Sequence, residues 1–360
     1  MFPGVENILI VQLGDIGDVV LATPTIRAVK ETYPAARISI MVRKPFGSLL
    51  SADPYLHEIV ESVKIRGTIL HVIKEYARFI RRLRRARYDL VIDLRTGDRG
   101  TILSFLTGAA ERVGRSVGGK QFWHELLLTT AIQCSPPLGP DHVHPGADQS
   151  LRIVREIGID TGNSMPQLFI AQQDHQRAME LLTESGLAPD ARWVTINSFS
   201  RWKYKEWDSK KWGEVVDWLW EKHRITTVLI GSPEEEAAAG EIVRGREGYA
   251  LNMAGKTTLG ELAAIISLSS LHMGVDSAAP HIAAALGTPT VTIHGPSDWR
   301  AWRMADALHA VICPEVECVP CRRMGCDDSQ RSKCLEELSV DAVIAGIDTI
   351  LSSLRDANGA

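Results

Sequence analysis

No apolar run in this 360-residue chain reaches the roughly 18 to 20 residues that cross a bilayer as a helix, so a membrane span is not expected. The first strand-like run, Ile8 to Leu13, has neither the basic stretch nor the cleavage site of a secretory leader, which points to a cytoplasmic protein. Cysteine is scarce. Six residues are too few for a disulfide-built fold of this size, and four of them, Cys318, Cys321, Cys326 and Cys334, fall within 17 positions. Charge of one sign is also lacking: 40 Lys and Arg against 44 Asp and Glu leave a net −4, which excludes a generally basic nucleic-acid binder. No short repeat or low-complexity tract interrupts the chain.

What remains is an ordinary globular composition, 45% hydrophobic and 23% charged, long enough for two domains of about 150 to 200 residues each. The charge is uneven. Residues 1–171 hold 21 basic and 17 acidic side chains and the rest 19 and 27, so an anionic partner should prefer the first part.

Strands and helices alternate through the first part. Val5 to Val11 is a continuous apolar run ending near Gly14, a helical pattern follows over Asp18 to Tyr33, and Arg37 to Arg43 is rich in Ile and Val. A long helical stretch spans Thr68 to Arg85, and Asp89 to Leu94 is again strand-like. The segment Cys134 to Ala147, with four Pro and two Gly, reads as a loop or crossover. A second alternation places strands over 193–197, 226–230, 271–275 and 290–294. Helices fall over 209–222, 234–244, 259–267, 277–286 and 340–354, the last able to pack on either domain. Apolar strands separated by helices predict an α/β protein with two doubly wound parallel sheets. Ligands in such sheets bind at the carboxyl ends of the strands.

The candidate motifs lie there. Gly14-Asp15-Ile16-Gly17-Asp18 opens a helix directly after the first strand. Its Gly-x-x-Gly spacing is not the Gly-x-Gly-x-x-Gly of dinucleotide sites, which disfavours a nicotinamide dehydrogenase. Asp15 and Asp18 each have two readings, helix cap or general base. The loop Asn197 to Trp207 brings hydroxyls together with Arg201, Lys203 and Lys205, a set suited to a diphosphate; the alternative is a solvated basic loop with Trp202 and Trp207 in the core. At Asp276-Ser277-Ala278-Ala279-Pro280-His281, Ser277 and the following N–H groups suit phosphate, Asp276 suits a ribose hydroxyl or a cap, and His281 is by default a core histidine. Glu234 and Glu235 after Gly231 either favour the helix dipole or hold ribose hydroxyls.

Between residues 66 and 99, ten basic residues face four acidic ones, with Arg78, Arg81, Arg82, Arg84 and Arg85 at helical spacings. Such a face is either solvated or a contact for anionic lipid or a phosphorylated acceptor, and the turn Gly97-Asp98-Arg99-Gly100 can join it. Cys318-x-x-Cys321-x4-Cys326-x7-Cys334 allows tetrahedral metal, though the later spacings match no common finger.

Taken in order, these residues resemble glycosyltransferase family 9, the heptosyltransferases of the lipopolysaccharide inner core. The similarity runs almost the whole chain: Gly14 to Asp18, Ser200-Arg201-Trp202 with Lys205 and Trp207, Asp276-Ser277 with His281, Ala283 to Pro289, Gly295-Pro296-Ser297, and the cysteine segment. Asp89-Leu-Val-Ile-Asp93 with Gly97 to Gly100, and the Ser-Arg-Trp-x-x-Lys-x-Trp form, look most like the third-heptose subgroup.

The resemblance implies a GT-B fold, two facing Rossmann-like domains with a cleft between them, an acceptor domain over 1–171 and a donor domain over 172–360. It implies inverting transfer from ADP-heptose with no metal or cofactor, matching the lack of an Asp-x-Asp motif at a strand end. By the same resemblance Asp18 is the base, and Lys205 serves the leaving group. Ser200, Arg201, Glu235, Asp276, Ser277, Ala278 and His281 form the donor site, with Ala278 standing where the family commonly has Gly. Gly17, Asp98, Arg99, Arg81 and Arg85 meet the lipopolysaccharide acceptor at the inner face of an anionic membrane. A GT-B sugar-nucleotide epimerase, or a non-catalytic nucleotide and lipid-surface binding protein, would share much of this pattern. The epimerase would turn over donor without acceptor, and the binding protein would not need Asp18.

Overall fold

The computed structural model describes residues 2–95, 97–116, 123–133, 146–301 and 308–359. Cys134 and all of the 134–147 loop except its last two residues therefore lie outside the described residues. The chain divides into two compact units, one of Met1–Gly139 with Gly146–Phe169 and the other including Ile170–Ala360.

The first unit holds β1 (Asn7–Gln12), β2 (Arg37–Arg43), β3 (Glu58–Ser62), β4 (Leu90–Asp93), β5 (Glu111–Arg115) and β6 (Thr130–Ile132). Its helices are α1 (Ile16–Leu21), α2 (Thr23–Thr32), α3 (Ile69–Arg85), α4 (Asp98–Thr107), α5 (His124–Leu127) and α6 (Asp148–Arg155). The strands pair in parallel in the order β3-β2-β1-β4-β5-β6. The expected single helix over Asp18 to Tyr33 is two helices hinged at Ala22. Pro24, in the first turn of the second helix, has no N–H to give, and the Thr23 hydroxyl donates back to the Val20 carbonyl at 2.8 Å.

The second unit holds β7 (Trp193–Asn197), β8 (Thr226–Leu229), β9 (Ala250–Asn252), β10 (His272–Val275), β11 (Thr290–Ile293) and β12 (His309–Ile312). Its helices are α7 (Gln172–Glu184), α8 (Ser209–His223), α9 (Glu236–Val243), α10 (Leu259–Leu268), α11 (Ala278–Ala285), α12 (Lys333–Glu337) and α13 (Val340–Gly359). The order β12-β11-β10-β7-β8-β9 is the first sheet's order read from the other edge. Val343, Ile347, Ile350 and Leu351 of α13 enter the core around Trp212 and Leu219, so this helix packs on the second unit.

Both sheets thus follow the Rossmann order, in which the direction of winding reverses between the first and fourth strands. The reversal lies between β1 and β4 in one unit and between β7 and β10 in the other. The loops leaving those strands cannot cover one another, so each reversal opens a crevice at the carboxyl edge. No described helix is long and apolar enough to cross a membrane.

Candidate active site

In the first unit the crevice is built on the turn after β1. Asp15 is the N-cap of α1, and Asp18, one turn on, accepts the Asp15 N–H on Oδ2 at 2.8 Å. The capping reading of these aspartates is therefore met, and it fixes Asp18 in one orientation. Gly14 is required beneath it: a Cβ there would stand 2.3 Å from Asp18 Oδ2. Arg95, two residues past β4, pairs with Asp18 Oδ1 at 2.8 Å. Arg43, the last residue of β2, pairs with Asp15 and donates from Nε to the Gly14 carbonyl at 2.9 Å. A carboxylate has about four acceptor positions, so Asp18, only partly covered, retains lone pairs for a hydroxyl.

Beneath this turn lies a group to which the motif reading gave no role. Asp93, the last residue of β4, is fully buried; its Oδ1 accepts the Arg95 N–H at 3.0 Å and its Oδ2 faces the Thr101 hydroxyl at 3.4 Å. Gly100 admits the close approach of α4, since a Cβ would stand 2.4 Å from Asp93 Oδ2. Burial pushes the Asp93 carboxyl up to about 7, against the opposing pull of the Arg95 N–H, the Thr101 hydroxyl and the Arg95 charge. The native state therefore holds this proton where the unfolded chain has lost it. Stability is fully favoured below pH 3.8 and declines as pH rises towards about 7, by at most about 4 kcal/mol. Asp93→Asn should flatten that decline. Thermal melts from pH 5 to 8 check this, and a slope unchanged by the substitution would contradict it.

The acceptor candidates at α4 have partners of their own. Asp98 accepts from His124 Nε2 at 2.8 Å, and Arg99 donates to Ser62 Oγ at 2.7 Å and to the Val63 carbonyl at 3.1 Å. Gly17 lies inside α1 beside Asp18. On α3, Arg82 is tied to Glu58 at 2.7 Å and Arg84 donates to the Leu106 carbonyl at 3.1 Å, whereas Arg81 and Arg85 are exposed.

In the second unit the loops after β7 and β10 meet. Lys205 reaches Asp276 Oδ2 at 2.6 Å, Ser200 Oγ donates to the Asp276 carbonyl at 3.3 Å, and Ser277 Oγ donates to Asn197 Oδ1 at 3.1 Å. Ser277 is the N-cap of α11 but its hydroxyl does not cap the helix, so Ala278 begins a helix with no side-chain cap. Burial opposes the Asp276 anion, yet the charges of His294 and Lys205 and hydrogen bonds from Lys205 and Ser297 outweigh it and hold the carboxyl at about 2. Burial lowers the His294 imidazole, against the opposing charge of Asp276. Asp276, Ser277, His281 and His294 line one pocket, so His281 is not a core histidine.

The three cations of the 197–207 loop divide. Lys203 is held by Glu206 at 2.8 Å, Arg201 stacks over Trp202 with 5.3 Å from Cζ to ring centroid, and Lys205 reaches the β10 end. Trp207 is buried in the core and Trp202 is 42 % exposed, so the alternative of a solvated loop with both in the core is met at Trp207 only. Glu235 accepts the Ser232 N–H at 2.7 Å in a capping box, so one of its oxygens serves the helix.

Cys313, Cys318, Cys321, Cys326 and Cys334 are free thiols, and among the described residues no three His, Cys, Asp or Glu side chains converge as ligands. Cys334 points from α12 into the core and its thiol is pushed up to about 11, first by burial and further by the nearby Cys318, Cys326 and Cys321, while Cys318 is at the surface.

Sequence reasoning gave no site role to Arg43, Arg95, Asp93 and His294. A usable signal was present, because each ends or closely follows an apolar strand of a parallel sheet. Solved structures share this architecture. An Escherichia coli ADP-heptose lipopolysaccharide heptosyltransferase II superposes with a TM-score of 0.77 at 20% identity, over 96% of this chain and 99% of that one. An E. coli heptosyltransferase solved with ADP-2-deoxy-2-fluoro heptose gives a TM-score of 0.70 at 19% identity, covering 95% and 99%. Both establish the GT-B fold class. In sequence, lipopolysaccharide heptosyltransferase 3 of E. coli K12 is 30% identical over 294 residues, 79% of this chain and 82% of its own length. The family model for glycosyltransferase family 9 (heptosyltransferase) matches residues 76–331, and with that match the chain belongs to this family of glycosyltransferases.

Proposed function

We propose that the chain moves heptose from ADP-heptose to the inner core of lipopolysaccharide, with inversion at the anomeric carbon and without a metal. The observation that carries this reading is the Lys205–Asp276 pair at 2.6 Å. It holds a cation at the winding reversal of the second unit, where a nucleotide diphosphate belongs in such a sheet. The names of the relatives and the sugar nucleotide of the solved neighbour support the donor and acceptor class.

The chemistry follows from the two crevices. Asp18 takes the proton of the acceptor hydroxyl as that oxygen attacks the anomeric carbon. The bond to ADP breaks with its electrons on the diphosphate, where Lys205 and the uncapped N–H groups from Ala278 onward meet the growing charge. Asp276 keeps Lys205 aimed, Ser200, Arg201 and His281 border the diphosphate and sugar, and the free oxygen of Glu235 takes the ribose. With Lys205 supplying the positive charge, a divalent ion has no required role.

Gly17, Asp98, Arg99, Arg81 and Arg85 are proposed for the acceptor, a phosphorylated lipid presented at the inner face of an anionic membrane. Arg81→Gln with Arg85→Gln should raise the acceptor KM several-fold and flatten its salt dependence, with donor KM unchanged, because a screened contact fades with ionic strength. Equal acceptor kinetics in the variant would return that face to plain solvation.

The stereochemical and metal claims share one test. Transfer is run from ADP-heptose of known configuration with excess chelator, and the new linkage is read by NMR. Inverted configuration at an undiminished rate is expected; retention, or loss of rate on chelation, contradicts the proposal.

A further inference from the structure

The first turns of α3 expose what a core would bury. Ile69, Leu70 and Ile73 are 78, 81 and 59 % exposed, and their spacing puts them on one side of the helix. Val63, just before the helix, is exposed as well. The side that packs inward carries Phe79 and Leu83 against the core of the first unit. Lys74, Arg78, Arg81 and Arg85 follow Leu70 at steps of four, four, three and four, forming a stripe that runs up the helix from the apolar tip. Lys64 and Arg66 precede the tip in the chain. In all, residues 63–85 hold eight Lys or Arg and one Glu, in a chain whose net charge is −4. That one acid, Glu75, is bound to Arg78 at 2.5 Å.

A lone exposed Leu needs no explanation. Three large aliphatic side chains side by side within a basic rim form a patch that marks an interaction site. Charge selects what covers it. A second copy would bring the same eight cations against themselves, which is repulsive at close range. An anionic bilayer offers acyl chains to the tip and phosphates to the rim at once.

The place of the patch fits that occupant. The segment leading into α3 leaves β3 at Ser62, and Arg99 at the start of α4 is bonded to both Ser62 and Val63. The acceptor turn and the root of the patch are therefore one structure. In the sheet β3 lies two strands from β1, about 10 Å at ordinary strand spacing, so the patch begins at the same carboxyl edge as Asp18.

We infer that the first two turns of α3 sink as a shallow amphipathic wedge into an anionic membrane surface, holding the first unit where the head of a lipid-borne acceptor can reach Asp18. The acceptor's identity rests on the heptosyltransferase reading; the docking does not.

The test uses the full chain without donor or acceptor, sedimented with vesicles of phosphatidylethanolamine and phosphatidylglycerol or of phosphatidylcholine alone. At low salt the unsubstituted protein should bind the anionic vesicles at least about tenfold better. Ile69→Ser with Leu70→Ser and Ile73→Ser should lower that binding about tenfold or more. Lys64→Gln with Arg66→Gln and Lys74→Gln should remove most of its salt dependence. Hydrogen exchange of the unsubstituted protein adds a readout free of folding effects: amides of 63–74 should become protected on addition of anionic vesicles. Undiminished binding by the serine variant, no protection over 63–74, or a dimer that the serine variant dissolves would each overturn the inference. Transfer to a water-soluble, delipidated acceptor should be unchanged in the serine variant. A protein that docks but transfers no heptose would sink the functional reading and leave this one standing.

Discussion

Asp18→Asn is expected to lower turnover by about 100-fold or more, with ADP-heptose affinity nearly unchanged. The amide keeps the size of the carboxylate and still offers an oxygen to the Asp15 N–H, so the capping box that sets the α1 turn survives. It loses the charge that pairs with Arg95 and the basicity needed to take a proton. Donor groups in the account lie on the second unit, which is why the loss should fall on turnover and not on donor binding. The competing carboxylate is Asp15, more exposed and paired with Arg43. Near-normal turnover in Asp18→Asn, with Asp15→Asn inactive, would transfer the role to Asp15. Titration calorimetry with ADP-heptose beside steady-state rates separates the two effects.

Lys205→Ala should cost about 100- to 1000-fold in turnover and weaken ADP binding about tenfold or more, since the cation meets the diphosphate both before and during bond breaking. The substitution also strips the buried Asp276 of its partner, and an uncompensated buried charge destabilises by about 3–5 kcal/mol. Combining Lys205→Ala with Asp276→Asn separates the two consequences. The double variant should regain thermal stability and remain inactive. Recovery of turnover with stability would make Lys205 a structural partner only, and unaltered ADP affinity in the single variant would remove this loop from the donor site.

The interior of the first sheet was legible because β1, β2 and β4 are nearly continuous runs of Ile, Val and Leu, as strands covered on both faces must be, and β7, β10 and β11, buried along their length, mix apolar residues with Thr, His and Gly but are bounded by turn residues and helices. The outer strands were not. β6 and β9 are three residues each, and β3 and β5 carry Glu and Arg because an outer strand is partly solvated. The aspartates and Lys205 could be picked out singly from their position after a strand. Their partners could not, since Asp18 meets Arg95 and Lys205 meets Asp276 only once strands 71 or more residues apart, in each case, come to lie side by side.

The α3 tip failed for a different reason. Ile69, Leu70 and Ile73 lie with Val72, Tyr76 and Phe79 on one broad apolar arc opposite His71, Lys74 and Glu75, so periodicity marks the arc as a core face and does not tell that its first part faces water. For the cysteines, spacing allowed a shared ligand set without deciding it, and in the fold Cys334 of α12 points into the core while Cys318 is at the surface.

The most direct test of the central claim follows ADP release from ADP-heptose by the purified chain, with and without lipopolysaccharide lacking its outer heptoses. ADP release is expected only when acceptor is present, matched mole for mole by heptose on the acceptor, and lowered about 100-fold or more by Asp18→Asn. Consumption or isomerisation of ADP-heptose at the same rate without acceptor, or no consumption in either case, would contradict it.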